Sequence, residues 1–305
     1  DANGKPRTFG EIVEQTKNVA LSSDNKRSFT LIGDPALRLA LPRLGVVTDS
    51  INGESYAFLD TLSALTKVTV KGHIVDNNNI LVNSFNGTIV PSVFDKIKNN
   101  QTLAQDPGSP VLDFELQRNV LYKGKATVTN GYFEFSFIVP KDIALNYGRG
   151  KLSYYAFSNQ IDAIGVDTTL IIGGIDPNGL VDSIGPEINA YLNDEQFIDG
   201  GISNETPVLY LKLYDESGIN TVGNGIGHDL MAILDEESAN PIILNDYYSS
   251  DLNTYQSGQV KYPFSTLEPG QHTISVKAWD VNNNSSDVRI SFTVQAVEAP
   301  LVKRL

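Results

Sequence analysis

The segment Gly223-Asn224-Gly225-Ile226-Gly227-His228-Asp229-Leu230 sets an imidazole beside a carboxylate after a glycine-rich run. Those two groups, with a nucleophile, are what an acyl-transfer site needs to orient and remove a proton. Adjacent residues of a strand point to opposite faces, however. Leu230 to Leu234 reads as a strand, so His228 and Asp229 also read as a loop entering a sheet with both side chains bonded to backbone. His73 lies on the polar side of an alternating run and His272 follows a turn. Three scattered histidines without His-x-x-x-His spacing do not make a zinc site. Calcium is the better metal candidate, because Asp280, Asn282 and Asn284 alternate oxygen ligands and Asp176 with Asn178 offers a shorter set. Neither matches the EF-hand pattern, and Asp and Asn equally populate plain turns. Tyr247, Tyr248, Tyr255 and Tyr262 could stack on sugar rings, or pack on a sheet surface as tyrosines commonly do. No catalytic, cofactor-binding or metal-ligating residue is therefore assigned.

The chain has 305 residues, 41% of them apolar and 19% charged, with a net charge of −13 and no cysteine. That length suits about two domains. The acidic balance argues against nucleic acid and anionic membrane surfaces as partners, which are bound by clustered Lys and Arg. Without cysteine there is no disulfide, thiolate metal site or cysteine nucleophile. No apolar run reaches the length of a membrane span. The N-terminal DANGKPRTFGEI lacks the basic and apolar regions of a signal peptide, so the chain is expected to be intracellular or a piece of a longer exported protein.

The elements follow from periodicity. Thr8 to Val19 predicts an amphipathic helix, with Thr8 as N-cap and Glu11 completing a capping box. Thr30 to Ile32 predicts a short strand stopped by Gly33-Asp34-Pro35, and Ala36 to Leu41 is apolar up to Pro42. A helix and one strand cannot bury a core alone, so residues 1–42 are expected to pack on something absent or on the next domain. From Thr66 the period becomes two. Val68, Val70 and Ile74 face away from Thr69, Lys71 and His73, and two alternating runs flank Asn130-Gly131, a strong hairpin signal. These spacings predict one β-sandwich over 43–173 with a long polar loop at 97–112. Gly173 to Gly179 reads as a linker. A second sandwich over 181–297 contains Leu209, Leu211 and Leu213 on one face, then Ile274, Val276 and Ala278, then Val288, Ile290, Phe292 and Val294.

FTLIGDPALRLALP, with the preceding TFGEIVEQTKN, resembles the last strand and helix of a gingipain-type caspase-like peptidase domain. FSFIVPKDIALNYGRGKLSYYA, DESGINTVGNGIGHDLMAILD, LNDYY and HTISVKAWDVNNNSS resemble the region after that domain in the gingipain-like (peptidase family C25) C-terminal signal peptidases, or sortases, of the type IX secretion system. The resemblance implies a mainly β chain: two tandem immunoglobulin-like antiparallel β-sandwiches, 43–173 and 181–297, after a caspase-like remnant at 1–42 and before a linker at 298–305. The family cleaves cargo C-terminal signals with a His-activated cysteine. Neither residue of that dyad can be carried onto this sequence, so the chain itself is expected to be inactive. The implied role is a noncatalytic accessory region, exported to the bacterial outer-membrane surface or beyond, contacting cargo C-terminal signal domains and type IX surface-complex proteins. The alternatives are a carbohydrate-binding or adhesive immunoglobulin-like module pair, and a structural spacer.

Overall fold

In a computed structural model the chain divides into two compact units, residues 1–43 and 44–305. Residues 6–20, 28–55, 61–221, 227–237 and 239–295 are described; the expected linker at 298–305 lies outside them. In the first unit, helix α1 spans Phe9–Val19, with Thr8 as N-cap and both halves of the capping box formed with Glu11. The helix's first free N–H groups find partners in the turn that follows. Phe9 N–H donates to the Leu37 carbonyl and Gly10 N–H to the Pro35 carbonyl, each at 2.9 Å, satisfying donors that no helix can satisfy internally. The expected strand at Thr30–Ile32 is not formed. A strand needs an edge to pair with, and the backbone that meets the helix start is that of Pro35 and Leu37, beyond the Gly33-Asp34-Pro35 turn. Phe29 and Ile32 are 75% and 96% exposed, and Leu37, Leu39 and Leu41 are exposed too.

The second unit begins with strands β1 (Leu44–Ile51), β2 (Lys67–Val75), β3 (Gly87–Phe94), β4 (Ala126–Thr129), β5 (Tyr132–Ile138), β6 (Lys151–Phe157) and β7 (Asp162–Asp167). They pair in the order β6-β7-β1-β2-β5-β4-β3, and β6 pairs again with β3. The sheet thus closes on itself. The sandwich expected over 43–173 is corrected to a barrel, closed through the β6–β3 pairing and a parallel β7–β1 contact at Leu44↔Ala163. Closure removes both free edges, which an open pair of sheets would leave unpaired. The alternation read from sequence supplies the filling: Val68, Val70, Ile74, Phe133, Phe135, Phe137, Leu152 and Ala156 are buried in one core. Asn130 and Gly131, at φ 51° and 81°, make the tight β4–β5 turn.

Two loops read from sequence prove to be paired structure. Within the expected loop at 97–112 and just beyond it, Lys98–Gln101 and Asp113–Leu116 form an antiparallel ribbon. Its first strand is polar throughout, and both of its faces meet water. The first three residues of the expected linker, Gly173 to Ile175, belong instead to a strand, Ile171–Ile175, that pairs with Gly148–Arg149 and with Leu62–Ala64.

Beyond it, β8 (Glu187–Leu192), β9 (Val208–Tyr214), β10 (Met231–Leu234), β11 (Tyr248–Ser250), β12 (Ser257–Pro263), β13 (Gly270–Trp279) and β14 (Ser285–Val294) form two sheets. One has the order β8-β9-β12-β11; in the other β14-β13-β10 is flanked by the two-residue strands Ile202–Ser203 and Ile242–Ile243. Leu209, Leu211, Leu213, Ile274, Val276, Ala278, Ile290, Phe292 and Val294 are buried between them, as their alternation requires. The chain is mainly β, with one short α-helix among the described residues. No described helix is long and apolar enough to cross a membrane.

Candidate functional site

The polar groups that matter gather where the barrel meets the two-sheet lobe. The loop after β5 brings Asp142 to the junction. There its Oδ2 accepts from His228 Nδ1 at 2.6 Å and its Oδ1 from Asn283 Nδ2 at 2.7 Å. The imidazole also lies 4.4 Å from the Trp279 ring, centroid to centroid. His228 and Asp229 are therefore not a pair, because Asp229 turns the other way to accept from Asn245 Nδ2. Among the described residues His228 has no hydroxyl partner, and its geometry is that of a latch between lobes. Tyr255 completes the junction from the other side. It packs against the barrel core, while Asn253 exchanges three hydrogen bonds with Lys125 and Thr127.

Beside the latch the calcium reading changes its members. Asn284 does not present an oxygen to an ion with Asp280; its backbone N–H and side-chain amide both donate to the Asp280 carboxylate, at 2.7 and 2.6 Å. The oxygens that converge are those of Asp182, Asp215 and Asp280, all within 4.8 Å of one another. Asp215 and Asp280 are 5% and 0% exposed. Burial, with the Asp280 charge adding to it, pushes Asp215 up to about 6 against three hydrogen bonds from Ser217 and Gly218. Burial and then the Asp182 charge raise Asp280 as well. A cluster of hard oxygens suits a divalent cation such as calcium, and proton uptake is the other way to relieve it. Asp176 makes an Asx turn, accepting from Asn178 N–H at 2.9 Å.

The remaining candidates scatter. His73 pairs with Asp49 on the barrel's outer wall. His272 sits between Asp235 Oδ2 and the Glu268 carbonyl, each at 2.7 Å. Burial works against its charge, but these two acceptors outweigh it and raise its pKa. Of the four tyrosines, Tyr248 packs against the second core and Tyr255 against the first, and Tyr247 stands edge-on to Tyr262. They form no common platform. Sequence reasoning missed Asp142, Asp182 and Asp215. The last two precede turns, as Asp residues do by the hundred, and nothing local says that three such turns converge.

No protein-family model and no curated protein matches the chain. Solved structures do. The fibronectin(III)-like modules of Clostridium thermocellum CbhA are 13% identical, with 82% of this chain and 94% of theirs aligned at a TM-score of 0.22. Trypsin-activated alpha-2-macroglobulin from Escherichia coli is 13% identical, covering 83% of this chain and 17% of its own at 0.27. Such low scores carry no argument. The crystal structure of dimeric latent PorU from Porphyromonas gingivalis stands apart, at 32% identity over 98% of this chain with a TM-score of 0.51. The chain spans 29% of the length of that protein, so that what the likeness reaches is one PorU-like region, over nearly the whole of these 305 residues.

Proposed function

We propose that the chain is a noncatalytic accessory region of an exported, gingipain-like cysteine peptidase that acts as a type IX secretion sortase. The supporting observation is the 32% identity to PorU across 98% of the chain. With no cysteine among 305 residues, cleavage of cargo C-terminal signals is the work of other parts of such a parent. Residues 1–42 then correspond to the end of the caspase-like peptidase domain. The exposed Phe29, Ile32, Leu37, Leu39 and Leu41 fit an edge that such a domain covers, since leaving each one in water forgoes roughly 1.5–3 kcal/mol. Residues 181–297 correspond to an immunoglobulin-like sandwich, and the barrel lies between the two in sequence. The parent works at the bacterial outer-membrane surface or outside the cell, where this region contacts cargo C-terminal signal domains and surface-complex proteins.

The reading is tested with the 305-residue chain and a fluorogenic cargo C-terminal signal peptide. No cleavage is expected, together with measurable binding of the intact cargo signal domain by biolayer interferometry. Cleavage that His228→Ala abolishes would overturn the noncatalytic assignment. Failure to bind that domain at about 100 μM, a free energy near −5.5 kcal/mol, would leave the region a spacer without cargo contact.

A further inference from the structure

The two outer walls of the second unit differ in kind. On the barrel, the outward positions of β1, β6 and β7 carry Val47, Tyr155, Phe157, Ile164 and Val166, all exposed. On the four-stranded sheet of the other lobe, the register sets three outward rows: Glu187-Tyr214-Ser257, Asn189-Lys212-Gln259 and Tyr191-Tyr210-Lys261. Not one of these nine side chains is aliphatic. We propose that this second face binds a neutral oligosaccharide, with the ring of Tyr214 stacking on a pyranose and the amides of Asn189 and Gln259 meeting its hydroxyls.

Three observations carry the assignment. First, the aromatic surface is present and open: Tyr214 is 46% exposed at the end of the sheet, and Tyr191 and Tyr210 lie 6.1 Å apart across it. An aromatic face takes up the apolar C–H side of a sugar, and its phenol stays in water. Second, planar hydrogen-bonding groups sit between the rings. Gln259 has no side-chain hydrogen bond among the described residues, and Asn189 spends only its N–H on Glu187, at 2.9 Å, leaving its carbonyl oxygen to accept. Third, the cations on the face are already answered, and Glu187 and Asp251 leave only negative charge along the groove. Lys212 is paired with Glu195 at 2.7 Å and the Lys261 ammonium stands 5.2 Å over the Tyr210 ring. A face with its cations spent selects no anionic group. The groove between Tyr210 and Tyr214 holds about 250 Å³, just under the roughly 300 Å³ at which drug-sized pockets begin. It seats one sugar ring, and the rest of the chain lies along the sheet. The inference is independent of the proposed function, since it concerns one face of one lobe.

The test is calorimetric titration of the 305-residue chain with maltohexaose, cellohexaose, xylohexaose and mannohexaose, against a heparin hexasaccharide and a Tyr-rich decapeptide. Binding of at least one neutral hexasaccharide with Kd near 1 mM or below is expected, unchanged between about 50 and 500 mM salt because the ligand carries no charge. Tyr214→Ala should weaken it about tenfold, the scale of one lost aromatic contact, and Gln259→Ala severalfold, while Tyr247→Ala, at the other end of the lobe, leaves it unchanged. Circular dichroism melting of each variant separates lost binding from lost folding. No binding of any neutral hexasaccharide at about 10 mM overturns the inference. So does binding only of the heparin fragment or of the peptide, or binding indifferent to both Tyr214→Ala and Gln259→Ala in folded variants.

Discussion

Asp215→Asn should make the protein more stable at neutral pH and leave it unchanged in acid. The Asp215 carboxyl is pushed from 3.8 up to about 6 by burial and by Asp280. A displacement of some two units corresponds to about 3 kcal/mol between the two protonation states. Because the folded-state value is the higher one, the folded protein binds more protons than the unfolded chain between pH 3.8 and 6. Stability therefore falls as pH rises through that window, and the full cost is present above it. Asp280, raised in the same direction, adds to the slope. An asparagine at 215 keeps the oxygen that accepts from the Ser217 N–H, the Ser217 hydroxyl and the Gly218 N–H. It removes the charge that faces Asp280. The value of about 6 already includes those three hydrogen bonds, so the expected net gain is about 3 kcal/mol at pH 7.5 and near zero at pH 4. Urea unfolding followed by the Trp279 fluorescence, in EDTA at the two pH values, reads both numbers from the midpoint shift. A variant less stable than the parent at pH 7.5 would refute the like-charge reasoning. So would a calcium-dependent gain in the parent that the variant lacks, because then a cation and not a proton would be balancing the three carboxylates.

Three further outcomes follow from the same geometry. His272, raised by Glu268 and Asp235 against its burial, should titrate above 6.5 by NMR; its stabilisation is complete below that value and lost as pH rises through the folded-state pKa, so Asp235→Asn should flatten the pH dependence of stability above pH 6.5, and an unchanged profile would refute it. Asp142→Asn weakens the latch to His228 and should cost about 1–3 kcal/mol, with faster amide exchange confined to 217–221 and 279–284; uniform exchange would mean that the lobes are held elsewhere. Gly87→Ala puts a Cβ 2.2 Å from the Phe157 carbonyl oxygen, a backbone atom that cannot step aside, so it should cost about 1–3 kcal/mol or more and release amide protection along β3 and β6 first.

What the sequence made legible was whatever is decided within a few residues. The Thr8 and Glu11 capping box, the Asn130-Gly131 turn and the alternation of Phe133, Phe135 and Phe137 each carry their own geometry, and each forms as written. Closure of the barrel is decided elsewhere, between Gly87–Phe94 and Lys151–Phe157, more than fifty residues apart. The alternating pattern is the same for a sheet that curls shut and for one that faces a second sheet. Its trace is steric: Gly87 leaves room for the Phe157 carbonyl and Gly165 for that of Val46, and a glycine in a strand asks what approaches it. The candidate site is less legible still, for the same reason at a larger scale. Asp182 lies in the loop before β8, Asp215 follows β9 and Asp280 follows β13, so their meeting depends on how a loop and two strand ends stack, a property of the folded sheets. Each aspartate is unexceptional in its own turn. Only together, at 5% and 0% exposure for the inner two, do they become a group whose charge the fold must balance. That cost falls on one side of a junction whose other side is the Asp142 and His228 latch. Titrating the cluster and holding the lobes together thus involve the same loop, Asp280 to Asn284, in which Asn284 serves the carboxylate and Asn283 serves the latch.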